Sequence, residues 1–145
     1  MLVALQHHER LDGSGYPYGC DRQTIHPISR LAAVADTFDA MTANRAYRKG
    51  MPARQAILEL HSSRGNQLDS ESVAALIKLI GVYPVGTRVV LAGGEQGTVV
   101  APNPLDTTRP YVLVYHDRNG RPFRQPFTVS LQYSKSSIIG TEPPR

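Results

Sequence analysis

Residues 7–17 have the sequence HHERLDGSGYP, and this stretch decides how the rest of the chain is interpreted. Two adjacent imidazoles and a carboxylate stand directly before a glycine-rich segment that ends in an aromatic residue and a proline. Imidazole and carboxylate are common ligands of iron, manganese and zinc at hydrolytic sites. Gly13 and Gly15 permit positive φ and let backbone N–H groups approach a phosphate. The stretch therefore predicts metal chemistry beside a loop that can hold a nucleotide.

On both sides of this stretch the sequence has a helical period, up to Gly81. Residues 1–9 are predicted to form the end of a helix. Proline and capping signals predict three more helices, at 27 to about 43, 52 to about 63, and 70–80, the last capped by Asp69 or Ser70. In the first of these three helices we expect one buried stripe at three-to-four spacing, formed by Ile28, Leu31, Ala32, Ala35, Phe38, Met41 and Thr42.

After residue 83 the period changes to two, which is typical of strands. Strands are predicted at 88–91, 97–100, 111–115 and 126–131, and a Gly93-Gly94 turn joins the first two. The predicted fold class is therefore α+β, with a helical fragment of about four helices followed by a small SH3-like antiparallel β barrel or sheet. The predicted domains are 1–81 and 82–133, followed by a flexible tail, 134–145.

The composition indicates a globular chain of 145 residues, 41% hydrophobic and 19% charged. It contains no apolar stretch of about 18 residues that could span a membrane. Cys20 is the only cysteine, and residues 1–13 do not resemble a signal peptide, so we expect a reducing, cytoplasmic location. The part after Gly81 has 7 basic and 4 acidic residues, an excess too small to indicate nucleic-acid binding.

Two aspartates on the predicted helix at 27–43 strengthen the metal hypothesis. Asp36 and Asp39 are three positions apart, so their carboxylates share one helix face. Carboxylates among so many apolar residues are costly unless they are paired, hydrogen-bonded or bound to metal. Neighbouring residues on a helix point about 100° apart, so His7 and His8 more naturally serve two metals, or one metal and one phosphate. In the alternative interpretation, both aspartates face solvent and the histidines merely end a helix.

Residues 7–17, together with ISRLAAVADTFDAMTANRAYR at residues 28–48, resemble the HD-GYP family of metal-dependent cyclic dinucleotide phosphodiesterases. The resemblance runs from residue 1 to about Tyr83. It implies hydrolysis of cyclic di-GMP with divalent metal ions, iron or manganese, in a binuclear or trinuclear centre of a complete domain. The β module also resembles modules that follow such domains, and we interpret it as a packing or interaction module.

The resemblance implies a role for each matching residue. The implied metal ligands and catalytic residues are His7, His8 and Asp36, and the implied substrate-binding residues are Gly15, Tyr16, Pro17, Arg45 and Arg48. Glu9 can serve as an acceptor that orients one of the two histidines. Simpler roles stay open, since Pro17 can merely stiffen the loop and Arg48 can be an ordinary solvated residue. Met41 is expected in the core, and His26 and His61 are expected to be structural.

In the family, a histidine–aspartate pair precedes the signature stretch, and residues 1–6, MLVALQ, contain no counterpart. We therefore expect this chain to be the C-terminal part of a catalytic domain, whose partner is the missing N-terminal half or a regulatory domain. Alone it is expected to bind metal weakly and to form homo-oligomers. Two rival hypotheses are a non-catalytic cyclic dinucleotide sensor that uses Tyr16, Arg45 and Arg48, and an adaptor centred on residues 84–131.

Overall fold

The structure is a computed structural model that describes residues 2–44 and 46–141. The chain divides into two compact units, Met1–Ile77 and Lys78–Arg145. The helices are α1 (Leu2–Gln6), α2 (Pro27–Thr42), α3 (Ala53–Ser63) and α4 (Ser70–Ile80). The strands are β1 (Arg88–Leu91), β2 (Gln96–Ala101), β3 (Tyr111–His116), β4 (Pro122–Ser130) and β5 (Ile138–Thr141). The predicted α+β class is confirmed.

Helix α1 ends at Gln6, so the prediction that it continues to residue 9 is wrong. The His7 N–H still donates to the Val3 carbonyl at 3.0 Å, as in an α-helix, but the Glu9 N–H donates to the Gln6 carbonyl at 3.0 Å. This shorter span tightens the chain into a turn. His7 and His8 therefore lie in the turn after the helix and not on its surface.

Helix α2 has the predicted extent but a different buried face. His26 caps its start by accepting a hydrogen bond from the Ile28 N–H at 3.3 Å, which confirms a structural role for this histidine. The buried residues of α2 are Ser29, Ala33 and Val34, whereas Ile28 and Leu31 are 54% and 49% exposed. The predicted stripe is thus wrong at Ile28, Leu31 and Ala35, which are exposed, whereas its later members Phe38 and Met41 do pack against the core. The buried positions are mostly small, which allows neighbouring segments to approach α2 closely.

The core of the first unit lies between α2, α3 and α4. Val34, Leu60, Leu68 and Val73 form its buried centre, and the partly buried residues packed against them are Phe38, Met41, Leu76 and Ile77. Met41 thus has the predicted core position. Asp69 caps α4 by accepting a hydrogen bond from the Ser72 N–H at 2.9 Å, which confirms one of the two predicted caps.

The second unit is an open antiparallel sheet with strand order β4-β3-β2-β1-β5. Its core consists of alternate residues on the central strands together with Leu131, namely Val89, Leu91, Val99, Val112, Val114 and Leu131. The barrel alternative is not confirmed, because among the described residues β4 and β5 are the two edges and do not pair with each other. The fourth strand is also longer than predicted, beginning at Pro122.

The expectation of a flexible tail from Ser134 is wrong for residues 138–141. They form β5, which pairs antiparallel with β1 through Val89↔Thr141 and Val90↔Gly140. Ile138 also packs against the core of the sheet. The segment is ordered by a partner about fifty residues earlier in the chain, and local composition does not reveal such a partner.

Candidate active site

The turn after α1 brings the two predicted histidine ligands side by side. The ring centroids of His7 and His8 are 4.0 Å apart, with an interplanar angle of 37°. Nδ1 of His7 lies 2.9 Å from the Val3 carbonyl, so this nitrogen carries the proton and donates. Nε2 of His7 is then the nitrogen with a lone pair. Fixing one ring nitrogen by a hydrogen bond is how proteins orient metal-binding histidines.

His8 faces the aspartate that the sequence analysis singled out. Its Nδ1 lies 3.7 Å from Oδ2 of Asp36, with side chains 36% and 44% exposed. Asp39, three residues further along α2, is exposed and makes no ion pair with these histidines among the described residues. The pair therefore links the turn after α1 to the middle of α2.

The signature loop folds back onto the histidines. The ring of Tyr16 stacks on that of His8, with centroids 4.6 Å apart and an interplanar angle of 30°. Tyr16 remains 60% exposed, so much of its surface is open to solvent. Pro17 is exposed and follows a cis peptide bond. Of the three predicted loop residues, Tyr16 is thus the one in direct contact with a predicted ligand.

Gly15 lies directly against the backbone of the segment before the loop. A Cβ at this position would fall 2.4 Å from both the Glu9 Cα and the Arg10 nitrogen, a separation that side chains do not reach. The Tyr16 N–H also donates to the His8 carbonyl, at 3.4 Å. Position 15 therefore requires glycine for a steric reason, whatever else it contacts.

Asp12 shapes the first part of the loop. Its Oδ1 accepts hydrogen bonds from the Ser14 hydroxyl at 2.6 Å and from the Ser14 N–H at 3.0 Å. These two hydrogen bonds, the hydroxyl one first, hold the pKa of Asp12 below its usual value. An isolated antiparallel bridge between Asp12 and Asp21 closes the base of the loop.

Glu9 does not serve as the acceptor for His7 or His8 that the sequence suggested. It is 2% exposed. Its Oε1 accepts from the Tyr18 N–H at 2.7 Å and its Oε2 from the Cys20 N–H at 2.9 Å. The sequence could have indicated this only weakly, through an acid placed just before a tight loop whose N–H groups need acceptors.

Of the two predicted arginines, the structure describes Arg48, which follows α2 after its end at Thr42. Arg48 is exposed, and its Nη2 donates to the Ala40 carbonyl at 3.4 Å, one helical turn beyond Asp36. Arg45 lies outside the described residues. In the parts of the chain that the structure describes, no three His, Cys, Asp or Glu side chains come together as a possible metal site. No helix there is long and apolar enough to cross a membrane.

Comparison with known proteins gives consistent results. The model of the HD domain family matches residues 1–72. The chain is 39% identical over 113 residues to a cyclic di-GMP phosphodiesterase of Pseudomonas aeruginosa, covering 78% of this chain and 27% of that protein. It is 49% identical over 78 residues to a cyclic di-GMP phosphodiesterase of Thermotoga maritima, covering 53% and 21%. It is 40% identical over 82 residues to a 3'3'-cGAMP-specific phosphodiesterase of Vibrio cholerae, covering 57% and 18%.

The chain thus spans between 18% and 27% of the length of these relatives. The matched residues contain the whole signature stretch, both histidines and the aspartate that faces them. This agreement between signature, relatives and local geometry identifies the family. Residues 1–72 belong to the HD domain family, in its HD-GYP form.

Proposed function

We propose that this chain is part of a metal-dependent phosphodiesterase that hydrolyses cyclic di-GMP. The observation that carries the proposal is the position of His8. Its ring faces the carboxylate of Asp36 and is stacked against the ring of Tyr16. The imidazole of His8 therefore lies beside both the other predicted ligand, Asp36, and the predicted substrate-binding loop. A hydrolytic site needs metal ligands and substrate contacts at the same point.

The donors present fit part of a metal centre. Two ligands at about 2.0–2.2 Å from one ion can be no more than about 4.4 Å apart, and His8 and Asp36 satisfy this limit. Nitrogen and carboxylate donors also suit iron and manganese. We propose that His8 and Asp36 are ligands of one ion and that Nε2 of His7 serves a second ion, in a centre completed by groups outside the described residues. Bound metal would supply an activated water and neutralise phosphoryl charge.

Tyr16 and the arginines are the proposed substrate contacts. Tyr16 stacks on His8 and is 60% exposed, so we propose that its ring also stacks on a guanine base. Arg48 is exposed, and its planar guanidinium suits a phosphate or a guanine edge. Gly15, Pro17 and Arg45 complete the proposed set. The two phosphates of a cyclic dinucleotide are anionic, so the cationic side chains of the proposed set would favour its binding.

The relatives favour an enzyme over a non-catalytic sensor, because they are named as phosphodiesterases. Cyclic di-GMP is the substrate we propose, since it gives its name to the Pseudomonas relative, which matches the largest share of this chain among the three described. A 3'3'-cGAMP substrate is the alternative that the Vibrio relative supports. We also propose a cytoplasmic location, which fits the single cysteine of the sequence.

The second unit is proposed to be a packing or interaction module that accompanies the catalytic part. The first unit has 77 residues, so an alignment of 113 residues must include at least 36 residues of the second unit. The Pseudomonas relative therefore shares a stretch of the β unit as well as part of the first unit. This shared pairing of units argues against an independent nucleic-acid adaptor.

The test is hydrolysis of cyclic di-GMP, with Mn²⁺ or Fe²⁺, by the complete purified protein of which this chain is part, compared with its His8→Ala and Asp36→Ala variants. We expect each substitution to lower the rate by more than about 100-fold. Removal of a group that only hydrogen-bonds to a metal ligand already lowers metal affinity or activity about 10- to 100-fold. His61→Ala removes an exposed histidine of α3 and is the matched control. Activity that survives in both variants would refute the ligand assignment. Faster hydrolysis of 3'3'-cGAMP would replace the proposed substrate.

A further inference from the structure

The carboxylate of Glu9 is buried, and both of its oxygens are engaged by the loop. Its side chain is among the largest that are fully enclosed, at 2% exposure. A buried carboxylate is costly unless it is well hydrogen-bonded. Here the Tyr18 N–H reaches one oxygen at 2.7 Å and the Cys20 N–H reaches the other at 2.9 Å. Among the described residues no cation forms an ion pair with Glu9, so the loop amides are its stabilising partners.

The same few residues hold the other side of the loop by their backbone. Gly15 rests on the Glu9–Arg10 peptide, where even a methyl group would not fit. Tyr16 donates its N–H to the His8 carbonyl. The loop is therefore held on both sides of Tyr16-Pro17. The backbone of residues 8–10 holds the segment that leads into these two residues, and the Glu9 side chain holds the segment that follows them. These contacts leave Tyr16 on the ring of His8.

We propose that Glu9 is a positioning residue that fixes the signature loop against the His7-His8 turn. The catalytic part of this inference rests on the proposed function, and the structural part does not. Glutamate fits this position by the length of its side chain and by its two acceptor oxygens. Glutamine offers one acceptor oxygen and points an NH₂ group at the second N–H, and aspartate is one methylene too short to reach both amides.

Amide hydrogen exchange tests the positioning directly and needs no activity. In the unmodified protein we expect the Tyr18 and Cys20 amides to be protected and the Gly19 amide between them to exchange faster. Glu9→Gln should speed exchange at Tyr18 and Cys20 by roughly tenfold or more, since hydrogen bonds to charged groups are the stronger ones. Glu59→Gln, which neutralises an exposed glutamate on α3, is the matched control.

Two results would overturn the structural part. One is unprotected Tyr18 and Cys20 amides in the unmodified protein, which decides the question even if Glu9→Gln does not fold. The other is an equal rise in exchange throughout residues 2–77 of Glu9→Gln, which would mean that Glu9 only stabilises the unit as a whole.

Kinetics in the same variants test the catalytic part. Glu9→Gln should raise KM for cyclic di-GMP about tenfold and change kcat by less than about threefold, because the loop binds substrate and the ligands are untouched. Metal content should match that of Glu59→Gln. A loss of metal comparable to that of His8→Ala would contradict the proposal. If the unmodified protein hydrolyses no cyclic dinucleotide, the proposed function fails, and hydrogen exchange alone decides the role of Glu9.

Discussion

The ring of Tyr16 stacks on the ring of His8 with centroids 4.6 Å apart. This contact joins the tip of a glycine-rich loop to a residue that also faces Asp36 at 3.7 Å. The loop and the proposed ligand pair therefore lie next to each other in the first unit.

Tyr16→Ala should raise KM for cyclic di-GMP about tenfold, since a base stacked on an aromatic ring contributes about 1–3 kcal/mol. Tyr16→Phe keeps the ring and should stay close to the unmodified protein. Steady-state kinetics measure both. Tyr18→Ala is the matched control, because Tyr18 has a similar exposure of 66% and its backbone N–H, not its ring, contacts Glu9. Equal effects of Tyr16→Ala and Tyr18→Ala would argue against stacking.

Gly15→Ala should lower the free energy of unfolding by about 1–3 kcal/mol, the usual cost of forcing extra atoms into a filled space. The added methyl would collide with the Glu9 and Arg10 backbone, which cannot move as a side chain would. Gly140→Ala is the control, because a Cβ there meets nothing within 4 Å. Denaturant unfolding compares the two variants. A Gly15→Ala protein as stable as Gly140→Ala would contradict this packing.

The cap of α4 should make stability depend on acid. Burial alone would raise the pKa of Asp69, but its hydrogen bonds from Ser72 and the charges of Arg30 and Arg22 outweigh burial and hold this pKa below its usual value. Asp69 binds its proton more tightly in the unfolded chain than in the folded one, because its pKa is lowered by folding. The stability that the cap contributes is therefore complete above about pH 4. It is lost as the pH falls through the lowered pKa of folded Asp69.

Asp69→Asn keeps a capping side chain but cannot titrate. Its stability should therefore fall less steeply than that of the unmodified protein between about pH 4 and pH 2. Thermal unfolding across this range measures the difference. Glu71→Gln neutralises an exposed acid in the first turn of the same helix. If it flattens the curve as much as Asp69→Asn, the effect does not come from the cap.

Leu131→Ala should destabilise the sheet by about 2–5 kcal/mol, as truncation of a buried leucine does. Leu131 is 0% exposed and packs with Val112 and Val114, whereas Leu105 is 84% exposed. Leu105→Ala is therefore the control and should change the unfolding free energy little. Exchange protection of the β2 and β3 amides reports on the sheet specifically. Similar unfolding free energies for Leu131→Ala and Leu105→Ala would mean that Leu131 does not contribute to the core.

The elements that local signals define were predictable from the sequence. Pro27 and the His26 cap set the start of α2, Asp69 set the start of α4, and alternating residues gave the central strands. His8 and Asp36 were predicted as metal ligands from their residue types and from the family signature that contains them. Their approach to 3.7 Å is consistent with that interpretation.

Three features were not predictable, each for a physical reason. The buried face of α2 depends on how closely neighbours approach Ser29 and Ala33, and apolarity alone favoured Ile28 and Leu31. Strand β5 exists because of a distant partner, β1. The role of Glu9 depends on two N–H groups, nine and eleven residues later, that turn toward it only when the loop is folded.

Strand β4 gives the open sheet an edge that is poorly suited to recruiting another strand. Pro122 and Pro126 have no N–H groups, so two of its nine positions cannot donate to an added chain. Arg124 is exposed between the two prolines and would place a charge where an added strand would meet β4. Edges of this kind resist the strand-by-strand growth that leads to fibrils. The sheet can thus remain open without a partner along β4, and its protection against self-association is built into the sequence of that strand.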